Sequence, residues 1–311
     1  MDPEFWIAEL TDDALADVID LCRVALDLSE DAAEAAAIVR RLRDTSGTEG
    51  WAPGPRRLAG FVALAPGDRM IGVVLGSVSH RDPSIGHIDL IAVHPGERRR
   101  GVGRALVTRV EGALAGLGAG DVVLQGNAPY YAWPGIDVRY TPAVCAAMAL
   151  GFEQDQPAWN MTADLTALAP TEADEKRLAG EGVTIRRAEP ADAAALTGFA
   201  LTTWGPLWAG EIAHSIGRSD AACHLAVESD GTLLGFASWG SSRPSMFGPM
   251  GTTPAARGRG IGSVLLRRCL ADQRAAGHRS AQIGWVGPVP FYSTAVGARV
   301  ERVFFLYRKQ L

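Results

Sequence analysis

At 311 residues the chain has room for two domains of ordinary size, and with 47% hydrophobic and 21% charged residues it is a globular chain, not a disordered one. No apolar run approaches the ~18 residues of a membrane span. A net charge of −5 offers no chain-wide basic footprint, so membrane and nucleic acid are both set aside as partners.

The four cysteines, Cys22, Cys145, Cys223 and Cys269, lie far apart with no C-x-x-C pair. That argues against a zinc site and against a disulfide framework; buried thiols and no metal are expected. The N-terminus has neither a basic n-region nor an apolar h-region, so the expected location is the cytoplasm. Met1–Phe5 reads as vector-derived and is left out of the fold argument. Only Lys176 and Lys309 among the 30 basic residues are lysines, a bias of high-GC bacterial genomes.

In chain order, hydrophobic periodicity predicts a strand near 6–10, helices over 12–27 and 30–45, and strands near 57–65 and 70–78. A strand follows at 87–93, then a glycine-rich turn and a helix with Val102, Leu106, Val110, Leu114 and Leu117 on one face. A strand at 121–126, a helix near 140–150 and terminal strands to about 166 close the first half. The second half repeats this order: a strand at 183–189, helices near 191–204 and 208–217, and strands at 222–229 and 232–240. Met246 to Thr253 then leads to a second turn and a helix with Ile261, Leu265 and Cys269, followed by a strand at 280–286, a helix near 289–296 and a last strand at 299–309. Pro249 and Gly251 interrupt the strand before the second turn and predict a bulge. Residues 6–166 and 183–311 are read as two domains, with the polar stretch 167–182 as linker. The expected class is α/β (α+β), two tandem folds, each a mixed central sheet flanked by helices.

The two turns share a Pro-x-x-Arg-x-x-Gly-x-Gly string, at Pro95, Arg98, Gly101, Gly103 and at Pro254, Arg257, Gly260, Gly262, with every position offset by 159 residues. A helix N-terminus leaves about four N–H groups unpaired and carries roughly half a positive charge, which favours an anion. Glycine lets that backbone approach a ligand. Arg98, Arg99, Arg100 and Arg104 surround the first turn and Arg257 and Arg259 the second, and guanidinium groups suit phosphate. Neither turn has the lysine of a P-loop, and Leu106 and Leu265 stand where a dinucleotide fingerprint needs its third glycine.

Arg98-Arg99-Arg100-Gly101-Val102-Gly103 and Arg257-Gly258-Arg259-Gly260-Ile261-Gly262 resemble the acyl-CoA loop, Arg/Gln-x-x-Gly-x-Gly/Ala after a strand, of the GNAT superfamily of N-acetyltransferases. The resemblance covers nearly the whole chain as a tandem pair. It implies acetyl-CoA as co-substrate, held by these residues with Arg104 and Ser263. It implies that the backbone at Ala92 and Val93, and at Gly251 and Thr252, meets the pantetheine arm, and that Asn127 contacts CoA. The family's general acid is a tyrosine on the helix after the motif unit, which falls at Tyr292 in the second half. In the first half Ala147 takes that place, with Tyr130, Tyr131 and Tyr140 as nearby alternatives. Asp89, on the first motif strand, is the candidate base.

Acetyl transfer to an amine needs removal of a proton, since an alkyl amine with pKa near ~10 is protonated at neutral pH. The departing thiolate is helped by an acid. The expected function is therefore an N-acetyltransferase acting on a small-molecule amine, with the C-terminal domain catalytic and the N-terminal domain CoA-binding or structural. A non-enzymatic acyl-CoA-binding module, and an enzyme acting on a protein or peptide amine, are the alternatives. Trp204 and Trp208, four apart, either wall an acceptor pocket or pack a core. Monomer and homodimer are both compatible with the sequence.

Overall fold

Period-two and period-3.6 patterns resolve, in a computed structural model describing residues 4–46, 48 and 50–311, into regular strands and helices close to those predicted. The first half holds β1 (Trp6–Glu9), α1 (Leu15–Ala25), α2 (Ser29–Ala33), α3 (Ala35–Arg43), β2 (Leu58–Ala65), β3 (Arg69–Val78), β4 (Ile85–Val93) and α4 (Val102–Gly116). It continues with β5 (Asp121–Leu124), β6 (Ile136–Asp137), α5 (Thr141–Ala149) and β7 (Glu153–Asp164). The second holds α6 (Glu172–Gly180), β8 (Val183–Arg187), α7 (Ala193–Thr203), α8 (Pro206–Ala213), β9 (Ala222–Glu228), β10 (Leu233–Trp239) and β11 (Met246–Thr252). It ends with α9 (Ile261–Ala275), β12 (Ser280–Ile283), α10 (Val289–Val296) and β13 (Arg299–Gln310). The helix expected over 30–45 is broken at Glu34, whose ψ of 10° leaves the helical region. Among the described residues no helix is long and apolar enough to cross a membrane.

The chain divides into two compact units. Unit 1 takes the described residues through Ser46, then Pro53–Ala158 and Phe304–Leu311; unit 2 takes Trp159–Val303 with the short segment before Pro53. In unit 1, β1 to β5 are neighbours in order, and Tyr307–Gln310 of β13 pair antiparallel with β5. In unit 2 the order is β8, β9, β10, β11, β12, and Met161–Asp164 of β7 pair antiparallel with β12. The last strand of each unit thus comes from the segment that period and order alone assign to the other half, so the compact units do not follow the continuous ranges 6–166 and 183–311. Ladder partners are chosen by tertiary packing, which a local pattern does not encode.

Helix stripes account for the cores. In unit 1, Leu106, Val110 and Leu114 of α4 pack on Val74 and Val122 on one face of the sheet. Val18, Cys22, Ile38 and Leu42 of α1 and α3 pack on Val62, Val73 and Leu75 on the other. In unit 2, Val264, Leu265 and Cys269 of α9 pack on Ala226 and Ala237. Cys22, Cys223 and Cys269 are buried as expected, whereas Cys145 is exposed.

The stretch read as a linker contains α6. Its one buried residue is Leu178, too few for an apolar stripe to show in the sequence, and its first turn carries Glu172, Asp174 and Glu175 at the positive end of the helix dipole. Leu178 is fully buried in the unit 2 core. We expect Leu178→Ala to cost about 2–5 kcal/mol, the range for a buried leucine, read as a lower urea midpoint; an unchanged midpoint would show that α6 is not part of that core.

Candidate active site

The first motif strand carries an irregularity that builds a cleft. Leu75 of β3 pairs with Leu90 and Gly76 with Ile88, so Asp89 is one residue too many in β4. Such a bulge re-aims side chains. Ile88 accordingly joins the core under α4, while Leu90 and Ala92 join the core under α1 and α3. β4 and β5 pair in parallel only over Ile85–His87 and Asp121–Val123. Beyond that the strands part, and a cavity of about 650 Å³ opens along Ile88–Val93, with the glycine turn at one end and α5 along one side. The lining residues of α5 include Ala143, Ala146 and Ala147, whose small side chains leave this space open.

The turn presents an uncapped helix start. Gly101 has φ of 89° and no side chain caps α4, so the N–H groups of its first turn point out unpaired. A Cβ at Gly101 would meet nothing within 4 Å, and one at Gly103 only Val93 Cγ2 at 3.8 Å. Val102, by contrast, is buried in the core. The four arginines divide. Arg98 is tied back by two hydrogen bonds to Asp27, each 3.0 Å, and by one of 2.8 Å to the Ala25 carbonyl. Arg100 pairs with Glu97 and Glu4. Arg99 and Arg104 are exposed on the cleft and make no ion pair among the described residues. Two cations thus stand beside a helix N-terminus.

Asp89 lines the cleft, yet both of its carboxylate oxygens are buried and have no hydrogen-bond partner among the described residues. Burial pushes its carboxyl up to about 7, opposed by the charge of Arg56 and by the nearby Ser77 hydroxyl. Asn127 does not face the cleft. It is buried and donates to Ser77 Oγ at 2.8 Å and to the Val78 carbonyl at 3.2 Å, so it fastens β3 where a CoA contact was expected. Among the tyrosines, Tyr131 and Tyr140 line the cleft, and the Tyr140 hydroxyl donates to the buried Asp31 at 3.0 Å. Tyr130 is fully buried and donates to the Ser46 carbonyl.

Unit 2 repeats the turn, with larger side chains close to it. Gly258 and Gly260 have φ of 77° and 80°, and α9 also starts without a side-chain cap at Ile261, followed by Gly262 and Ser263. Arg257 is exposed, without an ion pair among the described residues. Arg259, however, pairs with Glu228 at 3.1 Å and Glu181 at 3.6 Å, and Arg177 of α6 donates to its carbonyl at 2.9 Å. The predicted bulge is present, between the pairs Ala237↔Met250 and Trp239↔Phe247. The 159-residue offset puts Gly248 where unit 1 has Asp89, so no carboxylate stands there.

Gly251 holds the place of Ala92, and a Cβ on it would lie 2.6 Å from the Trp204 ring. Trp204 stacks on Trp208 at 5.5 Å and meets Phe236 edge-on at 5.3 Å, so the two tryptophans pack over the end of β11, beside Thr252. A Cβ at Gly262 would find Met250, Phe291 and Thr252 within 3.7 Å. Tyr292 belongs to the buried core, edge-on to Phe247 and Phe291. Burial pushes its hydroxyl up. We expect Tyr292→Phe to leave kcat within about twofold, since the substitution keeps the ring that packs against Phe247 and Phe291. A drop of about 10²-fold, the scale of a lost general acid, would restore Tyr292 to the chemistry.

A mixed sheet flanked by helices, with a glycine turn leading into an uncapped helix in each unit, is the fold that the resemblance of the two loops implied. The model of the acetyltransferase (GNAT) family matches residues 27–131 and again 193–287, more than half of the chain. This chain belongs to the acetyltransferase (GNAT) family, a family of N-acyltransferase enzymes, as a tandem pair of its domains. A mycothiol acetyltransferase of Salinispora tropica is 33% identical over 204 residues, 59% of this chain and 60% of that protein, so the match spans less than two thirds of the relative's length. One of Salinispora arenicola is 29% identical over 279 residues, 84% of this chain and 80% of its own. A tandem GNAT protein from the clavulanic acid biosynthesis pathway has a TM-score of 0.66 at 18% identity, covering 99% of this chain and 98% of its own. The glucosamine N-acetyltransferase region of a fungal multi-domain GH3 β-N-acetylglucosaminidase has a TM-score of 0.74 at 18% identity, over 99% of this chain and 38% of that one. At these identities the structural likeness is one of fold.

Proposed function

We propose that this chain transfers an acetyl group from acetyl-CoA to the amine of a small molecule, and that unit 1 performs the chemistry. The observation that carries this reading is the cleft at the parting of β4 and β5, which joins an uncapped helix start, two exposed arginines without an ion pair among the described residues, and a buried carboxylate. The filled space of unit 2, where Trp204 lies on Gly251 and Gly248 replaces the carboxylate, favours a structural role for that unit. The relatives named mycothiol acetyltransferase support a small-molecule amine as acceptor, and two Salinispora species support a bacterial source. Three buried thiols suit the reducing setting of a cytoplasm.

Acetyl-CoA, when bound, supplies an activated thioester. The N–H groups of residues 101–104 and the guanidinium groups of Arg99 and Arg104 hold its phosphates. The edge of β4 from Ile88 to Val93, which has no β5 partner, offers backbone groups to an extended arm, as a strand edge does. Asp89 receives the amine proton at its carboxylate. With its carboxyl at about 7 it is part ionised at neutral pH, which suits a general base working there.

The test is release of thiol from acetyl-CoA with a panel of small amines, together with a gain of one acetyl group in product mass. Calorimetric binding of CoA with no release for any amine would replace this reading with the non-enzymatic module.

A further inference from the structure

The cavity of unit 1 is lined from both faces of its sheet, and the two linings differ in chemistry. On the face that α4 covers stand Val107, Ala147 and Phe152, together with the glycine turn that opens α4. On the face that α1 and α3 cover, the lining is Leu26, Leu90, Ala92, Ala132, Trp133 and Tyr140. Phosphates held at the turn enter from the first face. The second is left for the acceptor.

Trp133 and Tyr140 are half-buried on that second face, and one carboxylate oxygen takes the polar tip of each. Trp133 Nε1 donates to Asp31 Oδ2 at 3.1 Å, and the Tyr140 hydroxyl donates to the same atom at 3.0 Å while accepting from the Leu28 N–H at 3.4 Å. Asp31 is fully buried in α2, so both tips turn into the protein and the rings are what the cavity meets. The segment that carries them is braced. Arg139 pairs with Glu30 at 3.0 Å and with Asp137 at 2.9 Å, the Gly126 N–H donates to the Pro134 carbonyl at 3.0 Å, and a Cβ at Gly135 would lie 2.6 Å from the Phe305 carbonyl oxygen. The cationic residues lining the cavity, Arg98, Arg99 and Arg104, all belong to the turn. Asp137 also lines it, but Arg139 engages its carboxylate.

An apolar wall with two fixed aromatic rings and no cation fits an amine whose substituent is flat, apolar and free of anionic groups. Resting on unit 1 as the transfer site, we propose that the acceptor is an arylalkylamine, its aromatic ring against Trp133 and Tyr140 and its nitrogen at the parting of β4 and β5. The ammonium gives one proton to Asp89, and the freed lone pair forms the N–C bond at the thioester carbonyl. The C–S bond breaks, the departing sulfur takes a second nitrogen-borne proton, and Asp89 returns its own to solvent. A sugar amine fits this face poorly, because its hydroxyl groups would meet tips already engaged by Asp31.

The experiment measures thiol release at saturating acetyl-CoA with phenethylamine beside ethylamine, phenylpropylamine beside propylamine, and glucosamine. Each aryl amine is expected to exceed its alkyl partner in kcat/KM by about 10- to 10²-fold, the worth of burying a phenyl ring. In Trp133→Leu and Tyr140→Leu that ratio is expected to fall toward one, through the KM of the aryl amine, in proteins that calorimetry shows still bind CoA. Tyr140→Phe keeps the ring and is expected to keep the ratio within about twofold. Should the leucine variants fail to fold, the ratios of the unaltered protein and of Tyr140→Phe still decide. Alkyl amines or glucosamine as good as the aryl amines, a ratio that survives Trp133→Leu, or one lost in Tyr140→Phe would overturn the proposal. Release without an aryl preference overturns it while leaving unit 1 as a transfer site; no release with any amine overturns both.

Discussion

Replacing Asp89 by asparagine is expected to lower kcat by about 10²- to 10⁴-fold, the contribution of a positioned general base, with acetyl-CoA affinity unchanged. The substitution keeps the shape of the side chain and removes only its capacity to take a proton. Because burial raises the carboxyl to about 7, the rate of the unaltered enzyme should climb with pH through that value and the variant should lose the climb. Stability follows with the opposite sense. The unfolded carboxyl ionises near 3.8, so between about 4 and about 7 the folded chain binds more protons than the unfolded one and stability falls as pH rises. The cost is complete above about 7. Asp89→Asn escapes it, so its Tm relative to the unaltered protein should improve from pH 5 to pH 8. A flat difference in Tm across that range, together with an unchanged pH profile of kcat, would remove Asp89 from the chemistry.

The second large effect is expected at the turn of unit 1. Gly103 stands in the first turn of α4 with room for a Cβ, so Gly103→Val should fold, but its methyl groups reach into the space a phosphate needs. Losing about two charge-assisted hydrogen bonds, each worth about 1.5 kcal/mol at the low end, weakens CoA binding by about 10²-fold. Calorimetry on the folded variant measures this directly. Wild-type affinity would mean that the phosphates lie elsewhere, and attention would pass to Arg257 and the turn of unit 2.

Much of this architecture was legible in the chain because it is locally encoded. The paired turns announce themselves through glycines that adopt positive φ at Gly101 and Gly260, and the helices after them through stripes at spacings of three and four. The bulge before the second turn was equally readable, since Pro249 cannot donate to a ladder. Helix α6 escaped notice because a single buried leucine makes no period.

The site is another matter. Motif residues of equal standing in the sequence part company once folded: on the cleft wall Arg98 is drawn to Asp27 while Arg99 has no ion pair among the described residues, and Asn127 turns to Ser77. What the sequence by itself determined is the family, the order of elements and the two glycine-rich turns, because each is written in residues close together along the chain. The room around each turn was decided by tertiary structure alone: Ala143, Ala146 and Ala147 line the cleft of unit 1, while Trp204 lies against Gly251 and Phe291 near Gly262 in unit 2. Free volume depends on side chains that converge from distant segments, and no local pattern records where they meet.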